Sequence, residues 1–101
     1  MSTPLLSDTE LTEALASLDG WSRSGDSITR TLRATSFPAG IELVGQIAEI
    51  AETMNHHPDI DIRWRSLTFT LSTHDSGGLT KLDIALAREI DRLAEQSGAT
   101  D

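Results

Sequence analysis

The chain holds three histidines: His56 and His57 stand side by side ahead of Pro58, and His74 closes the run Ser72-Thr73-His74. An imidazole titrates near neutrality, so a cluster of them can supply a proton donor and a proton acceptor together. Two in contact resist double protonation, which separates their titrations and leaves one acid and one base. The 101 residues include no cysteine, so thiolate nucleophiles, disulfides and Cys-containing metal centres are excluded. A zinc ion held by the three histidines is the competing chemistry. Against it, side chains at i and i+1 rarely converge on one ion, and no short His-x-x-x-His spacing is present. The expectation is a site without metal.

Proton transfer needs the three rings in one place, and the flanking elements are spaced to do that. Ser36 and Pro38 open the longest helical pattern, with Ile41, Val44, Ile47, Ala48, Ala51 and Met54 on one side and Glu42, Gln46, Glu49 and Thr53 on the other. Pro58 stops it by disfavouring helical geometry in His57. From Ile60 to Thr73 the apolar alternation changes phase across Arg65-Ser66, which predicts two strands joined by a tight turn. With Arg65 and Ser66 as the loop, Trp64 lies opposite Leu67, Ile62 opposite Phe69 and Ile60 opposite Leu71, all on the core face, and His57 falls opposite His74. Arg-Ser is not the Asn-Gly pair such loops favour, so a longer loop that moves the pairing by a residue stays open.

The remaining elements follow from their punctuation. Ser7 and Glu10 read as a capping box opening a short helix with Leu11, Leu15 and Leu18 inward and Gly20 at its end. Trp21 starts a strand, and Ser24-Gly25-Asp26 turns it into a second in which Ile28, Leu32 and Ala34 share a face with an anomalous Arg30. Thr80 caps a last helix with Leu82, Leu86, Ile90 and Leu93 buried. Asp83, three residues past that cap, reads first as a capping acid and second as a site contact.

The formal charge of -8 and the scattered basic residues disfavour nucleic acid as a direct ligand. No run of about twenty apolar residues, as a membrane span requires, and no basic-apolar leader appear, so the expectation is one soluble, cytoplasmic domain over residues 1–101.

Glu52, His56-His57-Pro58, Trp64, Ser72-Thr73-His74, Gly77-Gly78-Leu79-Thr80 and Asp83, together with the early Leu18-Asp19-Gly20-Trp21, resemble the pterin-4a-carbinolamine dehydratases in motif and spacing. The resemblance implies an α+β fold, a four-stranded antiparallel sheet with three helices packed on one face, assembled as a homodimer through sheet edges or a homotetramer of such dimers. It implies dehydration of 4a-hydroxytetrahydrobiopterin to the quinonoid dihydropterin, recycling tetrahydrobiopterin for aromatic amino acid hydroxylases, with no cofactor. His56 and His74 are then the first choices for the proton-transfer pair, and His57 shares the work or orients the pterin. Glu52, Pro58, Asp59, Ser72, Thr73, Asp83 and Trp21 are the candidate substrate-binding residues. Some also have a plainer reading: Glu52 as an exposed helix acid, Asp59 as a solvated strand entry, Trp21 as core. Trp64 is assigned to the core outright. Ile60-Asp61-Ile62 replaces a stretch that is often more aromatic in the family. Because a fold alone does not fix function, a non-catalytic dimerising or assembly-partner protein is the rival reading.

Overall fold

In the computed structural model, which describes residues 3–101, each helix starts where a side chain satisfies free backbone donors. Helix α1 (Asp8–Leu15) opens on the expected capping box, with Ser7 Oγ accepting the Glu10 amide and Glu10 accepting the Ser7 amide. It ends sooner than Gly20: the chain tightens to i→i−3 bonds, Ser17 to Ala14 and Leu18 to Leu15, as helix ends often do. Gly20, at φ 87°, serves the turn that follows. Strands β1 (Ser22–Ser24) and β2 (Ser27–Arg33) form the expected hairpin. Helix α2 (Phe37–Met54) is capped by Ser36, and strands β3 (Asp59–Arg63) and β4 (Ser66–Leu71) follow. A short 3-10 turn (His74–Ser76) leads to α3 (Lys81–Ser97). The sheet is antiparallel throughout in the order β1-β2-β4-β3. Three helices cover one face, joining Leu11, Leu43, Ile47, Leu86 and Ile90 to Ile28, Leu32, Leu67, Phe69 and Leu71.

The hairpin register differs from the expected one by two residues. Ile62 pairs with Leu67 and Ile60 with Phe69, so the loop is Trp64-Arg65. A shift of two preserves the face of every side chain, so Ile60, Leu67 and Phe69 still turn inward. Ile62, on the edge strand, is left exposed, and Trp64 leaves the face altogether: it takes φ 53° at the first loop position and is 66% exposed. Two-residue loops twist with the strands when that position has positive φ, and this geometry carries the indole off the core face. Arg33 and Arg65 stack on the ring, with guanidinium carbons 5.7 and 5.2 Å from its centre.

On α2 the buried side is rotated from the expected one. Gly40, Leu43, Ile47 and Ala51 face inward, while Ile41 and Ala48 are exposed. Gly40 fits this rotation, since a Cβ there would lie 3.1 Å from Ala34 Cβ, tighter than side chains usually pack. Arg30, the anomaly on β2, points at the helices and is ion-paired to Asp91 and Asp101, each at 2.6 Å. Burial works against its charge, but the hydrogen bonds and charges of Asp101 and Asp91 outweigh it and raise its pKa above the ordinary value.

Hydrogen bonds from the Ser7 backbone, then its side chain, hold the Glu10 carboxyl below its ordinary value. A carboxyl depressed by folding adds stability above its unfolded pKa and loses it as pH falls through the folded one. Glu10→Gln is therefore expected to lessen the acid dependence of stability below pH ~5; urea midpoints measured across that range check it. Among the described residues no helix is long and apolar enough to cross a membrane.

Candidate active site

Helix α2 ends on Asn55 in the left-handed conformation at φ 51°, and the His56 amide reaches back to the Ala51 carbonyl. Asparagine tolerates this geometry better than most residues. The chain thereby reverses in one step and turns the His56 ring inward, where the residue is only 8% exposed. Its Nε2 lies 2.6 Å from Asp83 Oδ1. Asp83 is fully buried, and its other oxygen accepts from Thr73 Oγ1 at 2.8 Å and from the Thr80 amide at 2.9 Å. Thr80 Oγ1 in turn sits 2.7 Å from Thr73 Oγ1 and accepts the Leu82 amide at 3.2 Å.

This bonding fixes the state of the ring. A buried carboxylate that already receives an O–H and an N–H acts as an acceptor, so His56 Nε2 carries the proton it donates to Asp83. Nδ1 is then the ring nitrogen that Asp83 does not engage. A buried carboxylate bonded to an imidazole holds its tautomer and compensates the positive charge when the ring accepts a second proton. Asp83 is thus the expected capping acid and also the partner of His56. With no exposed atom, it reaches a ligand only through His56.

His57 points outward, and its Nε2 bonds Glu52 Oε2. The side chains of His57 and Glu52 are 56% and 76% exposed, so this pair orients a ring rather than stabilising the fold. Glu52 is the exposed helix acid of its plainer reading, and it also meets the His57 ring. Continuing the β3–β4 ladder beyond Asp59↔Thr70 sets His57 level with Ser72. That is two residues, about 7 Å of strand rise, short of the expected level with His74. His74 is exposed and heads the 3-10 turn. It lines a cleft of about 390 Å³ with Asp26, Ser27, Asp59, Thr70, Ser72 and Gly77.

Of the other expected contacts, Asp59 and Ser72 line that cleft, and Pro58 is half-buried at the corner between α2 and β3. Thr73 is buried and turned towards Asp83. Trp21 is a core residue whose indole N–H donates to Asp91 at 2.8 Å, two helical turns along α3 from Asp83. A larger cavity, about 480 Å³, surrounds Arg30, Asp91 and Asp101 and holds no histidine. Among the described residues no group of three or more histidines and carboxylates is arranged to hold a metal ion.

Sequence reasoning missed Asp26 and Ser27. Asp26 was read as a turn residue and Ser27 was given no role, and their place beside His74 comes from sheet order: β2 pairs with β4, so the β1–β2 turn lies next to the end of β4. Ser72 Oγ donates to the Asp26 carbonyl at 2.7 Å.

A family profile described as Pterin 4 alpha carbinolamine dehydratase matches residues 4–93. The chain belongs to the pterin 4 alpha carbinolamine dehydratase family. A relative from Nocardia farcinica, provisionally named pterin-4-alpha-carbinolamine dehydratase, is 63% identical over 93% of this chain and 99% of its own. Among solved structures, a transcriptional coactivator/pterin dehydratase from Brucella melitensis superposes with a TM-score of 0.86 at 35% identity, covering 89% of this chain and 98% of its own. A pterin dehydratase-like protein identified as a RuBisCO assembly factor in the alpha-carboxysome shares the fold, with a TM-score of 0.60 at 19% identity over 73% of this chain and 86% of its own. Membership of the pterin dehydratase family accounts for the four-stranded sheet and three helices.

Proposed function

We propose that the chain dehydrates 4a-hydroxytetrahydrobiopterin, with His56, His57 and His74 carrying the protons. The observation that carries this reading is the buried hydrogen bond from His56 to Asp83, which leaves one imidazole nitrogen free for chemistry. The reaction removes the proton from N5 and the hydroxyl from C4a, and the N5 electron pair forms the C4a=N5 bond of the quinonoid dihydropterin. One group accepts a proton, another delivers one to the leaving oxygen, and water departs with no redox change. His56 and His74 are assigned to these steps. His57, held by Glu52, contacts or orients the pterin, and Asp59 and Ser72 bind its polar edge from the cleft wall. The cleft's volume falls within the usual range of about 300–1,000 Å³ for small-molecule sites.

In its cell this activity recycles tetrahydrobiopterin for aromatic amino acid hydroxylases, in the cytoplasm, in a homodimer or homotetramer. Stopped-flow absorbance of carbinolamine dehydration tests the reading. Wild type is expected to turn over with a bell-shaped pH profile, because an acid and a base must both be in the right state. His74→Ala is expected to lose about 10²-fold or more in kcat with an unchanged melting temperature, since His74 is exposed. Wild-type turnover no faster than the spontaneous reaction would refute the reading.

Two observations favour the assembly-partner alternative: Phe37, Ile41, Ile62 and Trp64 are large apolar residues left exposed, and the RuBisCO assembly factor has this fold. An inactive wild type that remains folded would favour it.

A further inference from the structure

The geometry points to Thr73 as a positioning residue that holds His56 and His74 in one frame. The inference rests on the dehydratase reading and moves Thr73 from contact with the substrate to a place behind the site. Its neighbours Ser72 and His74 line the cleft, whereas Thr73 is 6% exposed and faces the protein interior. Its backbone anchors the turn that presents His74. The Thr73 amide donates to the Gly78 carbonyl at 2.9 Å, and its carbonyl accepts from Ser76 and Gly77, each at 3.0 Å. Its hydroxyl donates to Asp83 Oδ2 at 2.8 Å, and Asp83 Oδ1 holds His56 Nε2 at 2.6 Å. The path between the two histidines is therefore one peptide bond and two hydrogen bonds, all of them at buried positions except the His74 end.

The hydroxyl is the part of Thr73 that matters to His56. Asp83 receives three donors, and the pair on Oδ2, from Thr73 and Thr80, fixes the rotation of the carboxylate. Without the Thr73 proton, one amide alone holds that oxygen, and Oδ1 is freer to swing away from the imidazole. Packing by itself would be satisfied equally by valine, which matches threonine in shape. A hydroxyl requirement would not.

The test compares wild type with Thr73→Val and Thr73→Ser by steady-state dehydration kinetics, and by nitrogen-15 NMR of the His56 ring, where the Nε2–H bonded to a buried acceptor gives a slowly exchanging signal. Thr73→Val is expected to lower kcat about tenfold, the scale of one hydrogen bond to a charged group, with KM within about twofold. The His56 signal is expected to shift and exchange faster in Thr73→Val, and both readouts should return towards wild type in Thr73→Ser. If the valine variant does not fold, Thr73→Ala carries the same expectations. Wild-type kcat with an unmoved His56 signal in Thr73→Val overturns the inference. A rise in KM alone, which marks a substrate contact, or a loss in Thr73→Ser as large as in Thr73→Val, which marks packing, overturns it equally. Failure of the dehydratase reading is distinguished by an inactive wild type, and the NMR comparison still decides whether Thr73 positions His56.

Discussion

Asp83→Ala is expected to destabilise the fold by about 3–5 kcal/mol, the scale of two or three buried donors losing one acceptor together. The change leaves the His56 Nε2–H, the Thr73 hydroxyl and the Thr80 amide without their acceptor in a region closed to water. Each buried donor left unmade costs about 1–3 kcal/mol, and α3 loses the acidic half of its capping box. These penalties overlap, because a relaxed loop can rewet several donors together, so their full sum is not expected. Against a typical total stability of about 5–15 kcal/mol, the loss is large, and Tm should fall by roughly 15 °C or more. Asp83→Asn keeps an acceptor for one or two of the donors and should fall between alanine and wild type. Urea denaturation of the three proteins checks the order. A midpoint in Asp83→Ala within error of wild type would show that the buried chain of hydrogen bonds contributes nothing to folding.

His56→Gln is expected to lower kcat by about 10²–10⁴-fold, the usual contribution of a positioned acid or base. Glutamine is chosen because its amide N–H can still donate towards Asp83, which separates the chemistry from the stability cost of leaving that carboxylate unpaired. The expected result is a protein with nearly wild-type Tm and KM but little turnover. Because the exchangeable proton is assigned to Nδ1, supplying small imidazoles in solution should restore part of the rate if a cavity is opened by His56→Ala. A His56→Gln enzyme with wild-type kcat would remove His56 from proton transfer and leave His57 and His74 to carry it. The two experiments are linked: Asp83→Asn should lower kcat by more than its loss of stability explains, since it also releases the orientation of the His56 ring.

Local chemistry in the sequence reached most of the fold. The Ser7-Glu10 box and the Thr80-Asp83 cap are satisfied by neighbours within a few residues, so the backbone groups they serve are named by spacing alone, whereas α2 ends on the left-handed Asn55, ahead of the expected stop at Pro58. Strand faces were legible for the same reason: a slip of two residues between β3 and β4 leaves Ile60 and Phe69 inward whichever register holds. The register itself was not legible. Only the loop conformation, with Trp64 at positive φ, distinguishes the two alternatives, and an aromatic residue is an unexpected occupant of that position. The buried side of α2 was hidden for a related reason, since the close approach of Gly40 to Ala34 that fits its rotation is made outside the helix.

Residue types and their spacing by themselves determined a four-stranded antiparallel sheet backed by helices, with His56 and His57 after the long helix and His74 after the last strand. Tertiary structure decided what each imidazole is. It buried His56 against Asp83, left His57 in water with Glu52, and gave His74 a cleft shared with Asp26. Hydrogen bonds between residues 27 and 10 positions apart depend on where α3 docks against the sheet, and docking is set by the packing of the whole core. The division of three like side chains into one buried and two exposed groups is therefore a property of the assembled fold.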